Sequence, residues 1–360
     1  MWLLHTRTLK HRYFISPEAV EEGYAILSHV WDEREDSFQD LQWIHVRCES
    51  SGESPHDLVS PKIRMSCQLA AREGYRWVWI DTCCIDKTSS AELSEAINSM
   101  FRYYALSLVC YAYLRDVPTE GAFEEPSRWE DPPFWTSKWH RRGWTLQELV
   151  APQTVHFLSS SWEYLGSKSD LAETLKSITH IPASVLQLKQ RPADMSVAQR
   201  MSWAAWRKTT RLEDEAYCLL GLFDVSMPTL YGEGRKAFRR LQEEIMKQTH
   251  DTTLFAWGRS ASLRDVLVKD RLRREGQEES QLSLFATSPQ DFVRSEYVEY
   301  TPSSGASGQG DHGELHREVS DLPHLAKSSP NARCCRSHSA ETVSLPFLSR
   351  LMAFVLVFQS

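Results

Sequence analysis

Four short apolar runs predict the strands of a buried sheet. They cover residues 24–30, 77–81, 108–114 and 154–158. Such runs, rich in β-branched and aromatic residues, are typical of strands that are covered on both faces. Amphipathic stretches lie between them, and strands that alternate with helices favour a parallel sheet flanked by helices. The pattern therefore predicts an α/β fold.

The clearest helix covers residues 91–105. Leu93, Ile97, Met100 and Tyr104 follow one another at steps of four, three and four residues, which places them on one face of a helix. Ser89 and Glu92 have the spacing of a capping box at its beginning. We expect this apolar face to be buried against the sheet.

Composition divides the chain into four segments. Residues 1–20 are expected to form an N-terminal leader, and residues 21–165 to form the α/β domain. Residues 166–258 predict a helical extension, in which Phe238, Leu241 and Ile245 form one apolar stripe. Residues 259–360 include a run of Ser and Gly at 301–310 and are expected to form a disordered tail. Its removal after residue 258 should leave the stability of the rest nearly unchanged.

Charge and cysteine content narrow the classes of function. The net charge is −7 and the pI is near 6.0, so we expect no nucleic-acid partner, since such proteins usually carry a basic surface. The eight Cys include no CxxC pair, which predicts no metal site and favours a cytoplasmic protein. No apolar run approaches the roughly 20 residues that a membrane span needs, so no membrane association is expected.

Candidate binding residues follow the predicted strands. Ser28 and Trp31 come at the end of the first run, and Asp81 and Asp86 at the end of the second. Ligands of open parallel sheets bind at the carboxyl ends of the strands. The alternative for both Asp residues is a structural role in a helix cap or a turn. Cys84, with His29 or His140 as base, is an alternative nucleophile, although a Cys beside an apolar strand is more often buried and inert.

Three blocks together resemble the HET (heterokaryon incompatibility) domain of filamentous fungi. They are YAILSHVW at 24–31, WIDTCCIDK at 79–87 and RGWTLQELVA at 142–151. The resemblance covers about residues 20–165. It implies a cytoplasmic effector of nonself recognition whose activation leads to cell death. Its partners would be a second HET domain or other incompatibility proteins.

HET domains in turn resemble TIR domains, whose sheet is flavodoxin-like. Trp144 precedes Glu148 by four positions, as a Trp precedes the catalytic Glu in the TIR enzymes that cleave NAD. The resemblance implies that Glu148 is catalytic and that NAD is a substrate, with no other cofactor implied. Trp144 and Arg142 would bind the ligand, through ring stacking and a phosphate clamp respectively. The alternatives are a structural Glu148 paired with an arginine, and a non-catalytic domain that signals by self-association.

Overall fold

A mixed sheet of seven strands forms the centre of the fold in the computed structural model, which describes residues 1–125, 130–258 and 284–300. The strands run in the spatial order β2-β1-β4-β3-β5-β6-β7. Their bounds are Trp2–His5 (β1), His11–Tyr13 (β2), Ala25–His29 (β3), Trp77–Trp79 (β4), Val109–Tyr113 (β5), Val155–Leu158 (β6) and Tyr164–Ser167 (β7). The four predicted strands are confirmed as β3 to β6.

The sheet is parallel only in its middle. β3 pairs in parallel with β4 and with β5, and β5 pairs in parallel with β6. The outer pairs β1–β2, β1–β4 and β6–β7 are antiparallel. The expectation of an all-parallel sheet is therefore corrected at both edges. The supposed leader is corrected too, because residues 1–20 supply two strands, with Leu3 and Leu4 fully buried.

Helices cover the sheet and form the region after β7. Those around the sheet are Phe38–Ser51 (α1), Pro55–Leu58 (α2), Pro61–Arg72 (α3), Ser90–Ala105 (α4), Pro133–Thr136 (α5), Lys138–Arg141 (α6) and Thr145–Val150 (α7). Those that follow are Ala172–Thr179 (α8), Ala183–Leu186 (α9), Val197–Ser202 (α10), Asp214–Tyr217 (α11) and Lys236–Gln248 (α12). The predicted α/β class with a helical extension is what the described residues show.

Helix α4 confirms the predicted helix and modifies its predicted cap. Ile97, Met100 and Tyr104 are buried on one face, and the Ser89 hydroxyl accepts a hydrogen bond from the Glu92 amide at 3.3 Å. The Glu92 carboxylate does not return to Ser89. It accepts a hydrogen bond from the Asp86 amide at 2.9 Å, and so links α4 to the loop that follows β4.

Residues 284–300 correct the prediction of a tail that begins at 259. Phe285 and Phe292 are buried in the core. Gln242 of α12 exchanges two hydrogen bonds with Ala286, at 3.0 and 2.9 Å, and the Ser196 hydroxyl donates to the Val298 carbonyl. This segment therefore packs against the helical extension. Residues 259–283 and 301–360, including the Ser/Gly run, lie outside the described part of the chain.

Candidate functional site

The carboxyl ends of β3 and β4 carry most of the polar side chains that the sequence singled out. Ser28 and His29 are the last residues of β3, and Asp81 follows β4 by two residues. Because the two strands are parallel neighbours, these side chains meet at the same edge of the sheet. Glu148 reaches this edge from helix α7, which lies against β3.

Glu148 is held by Ser28, which is in turn held by Trp139, a residue 111 positions further along the chain. The Ser28 hydroxyl donates to the Glu148 carboxyl group, and the Trp139 indole N–H donates to the Ser28 hydroxyl at 2.8 Å. Glu148 is only 4% exposed. Burial and the nearby charge of Asp81 raise the pKa of Glu148 to about 8, against the opposing effects of Ser28, Arg142 and Arg207. The carboxyl group is therefore mainly protonated at neutral pH.

Asp81 has the opposite protonation state. Its carboxylate contacts the His29 ring nitrogen at 3.0 Å and accepts the Trp31 indole N–H at 2.8 Å. Burial alone would raise the pKa of Asp81, but His29, the charge of Lys87 and the bond from Trp31 lower it to about 2. Two carboxyl groups that interact electrostatically thus differ in protonation at pH 7, which is a common property of acid–base sites.

Trp31 presents the exposed face of the site. Its side chain is 41% exposed, while its N–H is fixed by Asp81. The Lys87 ammonium lies 4.0 Å from the centre of the ring, and the Arg142 guanidinium carbon lies 5.5 Å from it. Both distances fall within the range of cation–π interactions. The structure therefore brings together Ser28, Trp31, Asp81, Arg142 and Glu148 from the predicted set.

Asp86 and Trp144 have other contacts. The Asp86 carboxylate accepts hydrogen bonds from the Thr88 amide and from Gln39, so it has the alternative, turn-forming role. Trp144 is half-buried, and its side chain lies close enough to Asp214 in the helical extension to lower the pKa of that carboxyl group, against the larger effect of burial. Cys84 is 2% exposed, and its thiol points to the Val78 carbonyl at 3.9 Å, which is the expected geometry of a buried, inert Cys.

A charged network extends the same edge of the sheet. The buried Lys62 ammonium contacts Glu35 at 2.5 Å and Asp32 at 3.1 Å, and Arg115 forms an ion pair with Asp32. Lys62 also donates to the Val30 carbonyl at 3.2 Å. These contacts fix the loop that leads from β3 to α1, and with it the position of Trp31.

Arg207 was missed by sequence reasoning, yet it joins the helical extension to the site. Its guanidinium donates to the Arg142 carbonyl at 3.0 Å and to the Thr145 hydroxyl at 2.9 Å. Beside it the backbones pair, with Lys208 donating to the Arg141 carbonyl and Gly143 to the Lys208 carbonyl. A Cβ at Gly143 would lie 2.5 Å from a Thr209 methyl carbon, so any other residue there would force the Thr209 side chain to move.

Trp139 and Lys87 were also absent from the predicted set, and His29 was considered only as a base for Cys84. His29 directly follows Ser28 and Lys87 directly follows Asp86 in the quoted sequence blocks, so proximity to a candidate residue was the only available signal for them. Trp139 lies between blocks and gave none. Within residues 1–125, 130–258 and 284–300, no group of three His, Cys, Asp or Glu side chains is arranged to hold a metal ion. No helix in that part of the chain is long and apolar enough to cross a membrane.

Comparison with known families agrees with the sequence blocks. Residues 24–134 match the family model described as heterokaryon incompatibility protein (HET), and residues 236–311 match one described as a domain of unknown function, DUF8212. The resemblance to the HET domain that the sequence blocks indicated is confirmed by the first of these matches. The second match includes residues 284–300, in agreement with their packing on α12.

A named relative extends this likeness beyond the HET domain. The vegetative incompatibility protein HET-E-1 of Podospora anserina is 46% identical over 230 residues, which are 62% of this chain and 16% of that protein. The chain thus spans about a sixth of the length of the relative that it matches. No solved structure matches the chain.

Proposed function

We propose that this chain acts in heterokaryon incompatibility as an effector whose HET domain triggers cell death in the cytoplasm of a fungal cell. The match of residues 24–134 to the HET family and the 46% identity to a vegetative incompatibility protein support this role. Controlled expression of the full chain in a filamentous fungus tests it. We expect at least a tenfold loss of viable cells, whereas Ile97→Asp, which places a charge in the buried face of α4, should be harmless. Normal growth with abundant, folded wild-type protein would contradict the proposal.

For the chemistry, we propose hydrolysis of the bond between ribose and nicotinamide in NAD. Water adds to C1′ of the ribose as the C1′–N1 bond breaks, the electron pair of that bond goes to nicotinamide, and one proton is released with ADP-ribose. The observation that carries this proposal is the pairing of a protonated Glu148 with an ionised Asp81 at one edge of the sheet. The parallel strands are ordered β4-β3-β5-β6, which supports a TIR-like, flavodoxin-like arrangement.

Glu148 would stabilise the positive charge that develops on the ribose in the transition state. Only the ionised carboxylate can do this, and burial opposes ionisation. The nicotinamide ring of NAD carries a positive charge, and its arrival beside Glu148 would favour loss of the proton. Ser28 then keeps the carboxylate in place by its hydrogen bond, and Trp139 fixes the Ser28 hydroxyl. Asp81 supplies a fixed negative charge beside it.

Glu148→Gln tests this assignment, since it keeps the size of the side chain and removes its charge. We expect NAD turnover by the purified protein to fall about 10²–10³-fold, as for the loss of one preorganised electrostatic interaction. The kcat/KM of the wild-type protein should rise with pH through about 8, the pKa of Glu148 in the free protein. Glu95→Gln, at an exposed position on α4, is the matched control and should keep full turnover. Equal turnover by both variants would exclude Glu148 as the catalytic residue.

Signalling by self-association is the second candidate, and one surface favours it. Trp43 and Val46 lie three residues apart on α1 and are 71% and 58% exposed. Residues at this spacing share one face of a helix, and exposed aromatic side chains are enriched in protein interfaces. If this face mediates self-association, sedimentation at rising concentration will show dimers or larger species. Trp43→Ser should then shift the population to monomer without a change in NAD turnover per chain.

A further inference from the structure

The positively charged side chains at the carboxyl edge of the sheet fall into two groups. Lys62 and Arg115 are neutralised by ion pairs with Asp32 and Glu35. In the described residues, no carboxylate oxygen lies within 4 Å of the charged nitrogen atoms of Lys87 or Arg142. Their closest shared contact is the exposed ring of Trp31. Two cations that contact the same exposed ring without a carboxylate partner leave their positive charge available to an anionic ligand.

The contacts with Trp31 leave hydrogen-bond donors free on both cations. A guanidinium stacked on an aromatic ring uses its face, while its N–H donors lie in the plane and remain available for two-point contact with phosphate. Lys87 has three donors, and one of them points to the Thr82 carbonyl at 3.4 Å. The bond from Trp31 to Asp81 fixes the ring, so both cations are placed by a preorganised support.

We propose that Lys87 and Arg142, supported by Trp31, bind the diphosphate group of a dinucleotide. This rests on the proposed function for the choice of nucleotide, but it concerns binding and not turnover. A diphosphate carries two negative charges, one for each cation. It would neutralise both Lys87 and Arg142. Bound there, it would keep the rest of a dinucleotide beside Asp81 and Glu148.

Binding of three probes to the full chain tests this site, measured by calorimetry at fixed low salt. ADP-ribose carries the diphosphate group and both ribose sugars. Inorganic pyrophosphate carries the diphosphate group alone, and adenosine carries no phosphate. We expect ADP-ribose to bind most tightly, pyrophosphate more weakly, and adenosine not at all. Lys87→Met and Arg142→Met should each weaken ADP-ribose binding roughly tenfold or more, since each removes a charge-assisted hydrogen bond. Lys189→Met, at an exposed lysine elsewhere, is the control and should bind normally.

Arg142→Lys separates the loss of a charge from damage to the fold. It keeps the charge and loses the two-point contact, so its affinity for ADP-ribose should lie between those of wild type and Arg142→Met. Unchanged ADP-ribose affinity in both Met variants would overturn the proposal. Equal affinities for pyrophosphate and ADP-ribose would overturn the assignment to a dinucleotide. If ADP-ribose binds as expected but NAD is not cleaved, the proposed chemistry fails while this binding site stands.

Discussion

At the scale of single residues, the site depends on how burial acts on two carboxyl groups of similar intrinsic acidity. Asp81 receives hydrogen bonds from His29 and Trp31 and is ionised, while Glu148 receives one from Ser28 and keeps its proton. Desolvation raises the pKa of both groups, and their pKa values differ because different numbers of donors and cations face each carboxyl group. Sequence alone identified both residues, since each occurs in a sequence block. Their opposite protonation states depend on the packing of α7 against β3 and could not be predicted.

The raised pKa of Glu148 predicts a pH dependence of stability. Below the unfolded pKa of about 4.5 the group is protonated in both states, so its contribution to stability is fully present. As the pH rises toward 8, the unfolded chain ionises Glu148 and the folded chain does not, so this contribution is lost. Glu148→Gln removes the titration. The melting temperature of the wild type minus that of Glu148→Gln should therefore fall by roughly 2 °C or more between pH 5 and pH 8. A constant difference would show that Glu148 titrates normally in the folded protein.

At the scale of elements, helices and strands could be predicted where the local pattern of apolar residues was strong. Strands β3 to β6 are continuous apolar runs, and α4 has a regular apolar face, so each was visible in the sequence. β1, β2 and β7 are three or four residues long and antiparallel at the edges, where partly exposed strands lack such runs. The pairing of residues 141–143 with 207–209 left no local signal. It joins two polar segments that are far apart in the sequence, and only the fold brings them together.

Arg207→Met tests that pairing of segments. Arg207 donates to two carbonyls and to the Thr145 hydroxyl, and its loss leaves half-buried acceptors without their donor. We expect the free energy of unfolding to fall by about 1–3 kcal/mol. The pKa of Glu148 should also rise, because the charge of Arg207 lowers it, and the pH at which NAD turnover reaches its maximum should move upward. Lys208→Met, at the exposed neighbouring side chain, should leave the free energy of unfolding and the pH of maximum turnover unchanged. Equal effects of the two substitutions would show that Arg207 has no special role.

At the scale of the whole molecule, the folded unit extends beyond the three sequence blocks. The first 20 residues complete one edge of the sheet, and the helical extension holds the loop that carries Arg142 and leads into α7. Residues 284–300 in turn cover α10 and α12. Sequence composition missed this last layer because its apolar residues are few and have no helical or strand period. We therefore infer that the sheet, the extension and residues 284–300 fold together.

This inference reverses the expectation that everything after residue 258 is dispensable. Phe292 is fully buried, whereas Tyr297 in the same segment is 75% exposed. Phe292→Ala should lower the free energy of unfolding by about 3–5 kcal/mol, as is usual for a buried Phe, while Tyr297→Ala should change it by no more than about 0.5 kcal/mol. Removal of all residues after 258 should destabilise the chain at least as much as Phe292→Ala. Removal of those after 311 should leave the free energy of unfolding unchanged. Denaturant titration of the four variants measures all of these differences. If truncation after 258 left the unfolding midpoint unchanged, residues 284–300 would contribute nothing to the stability of the fold.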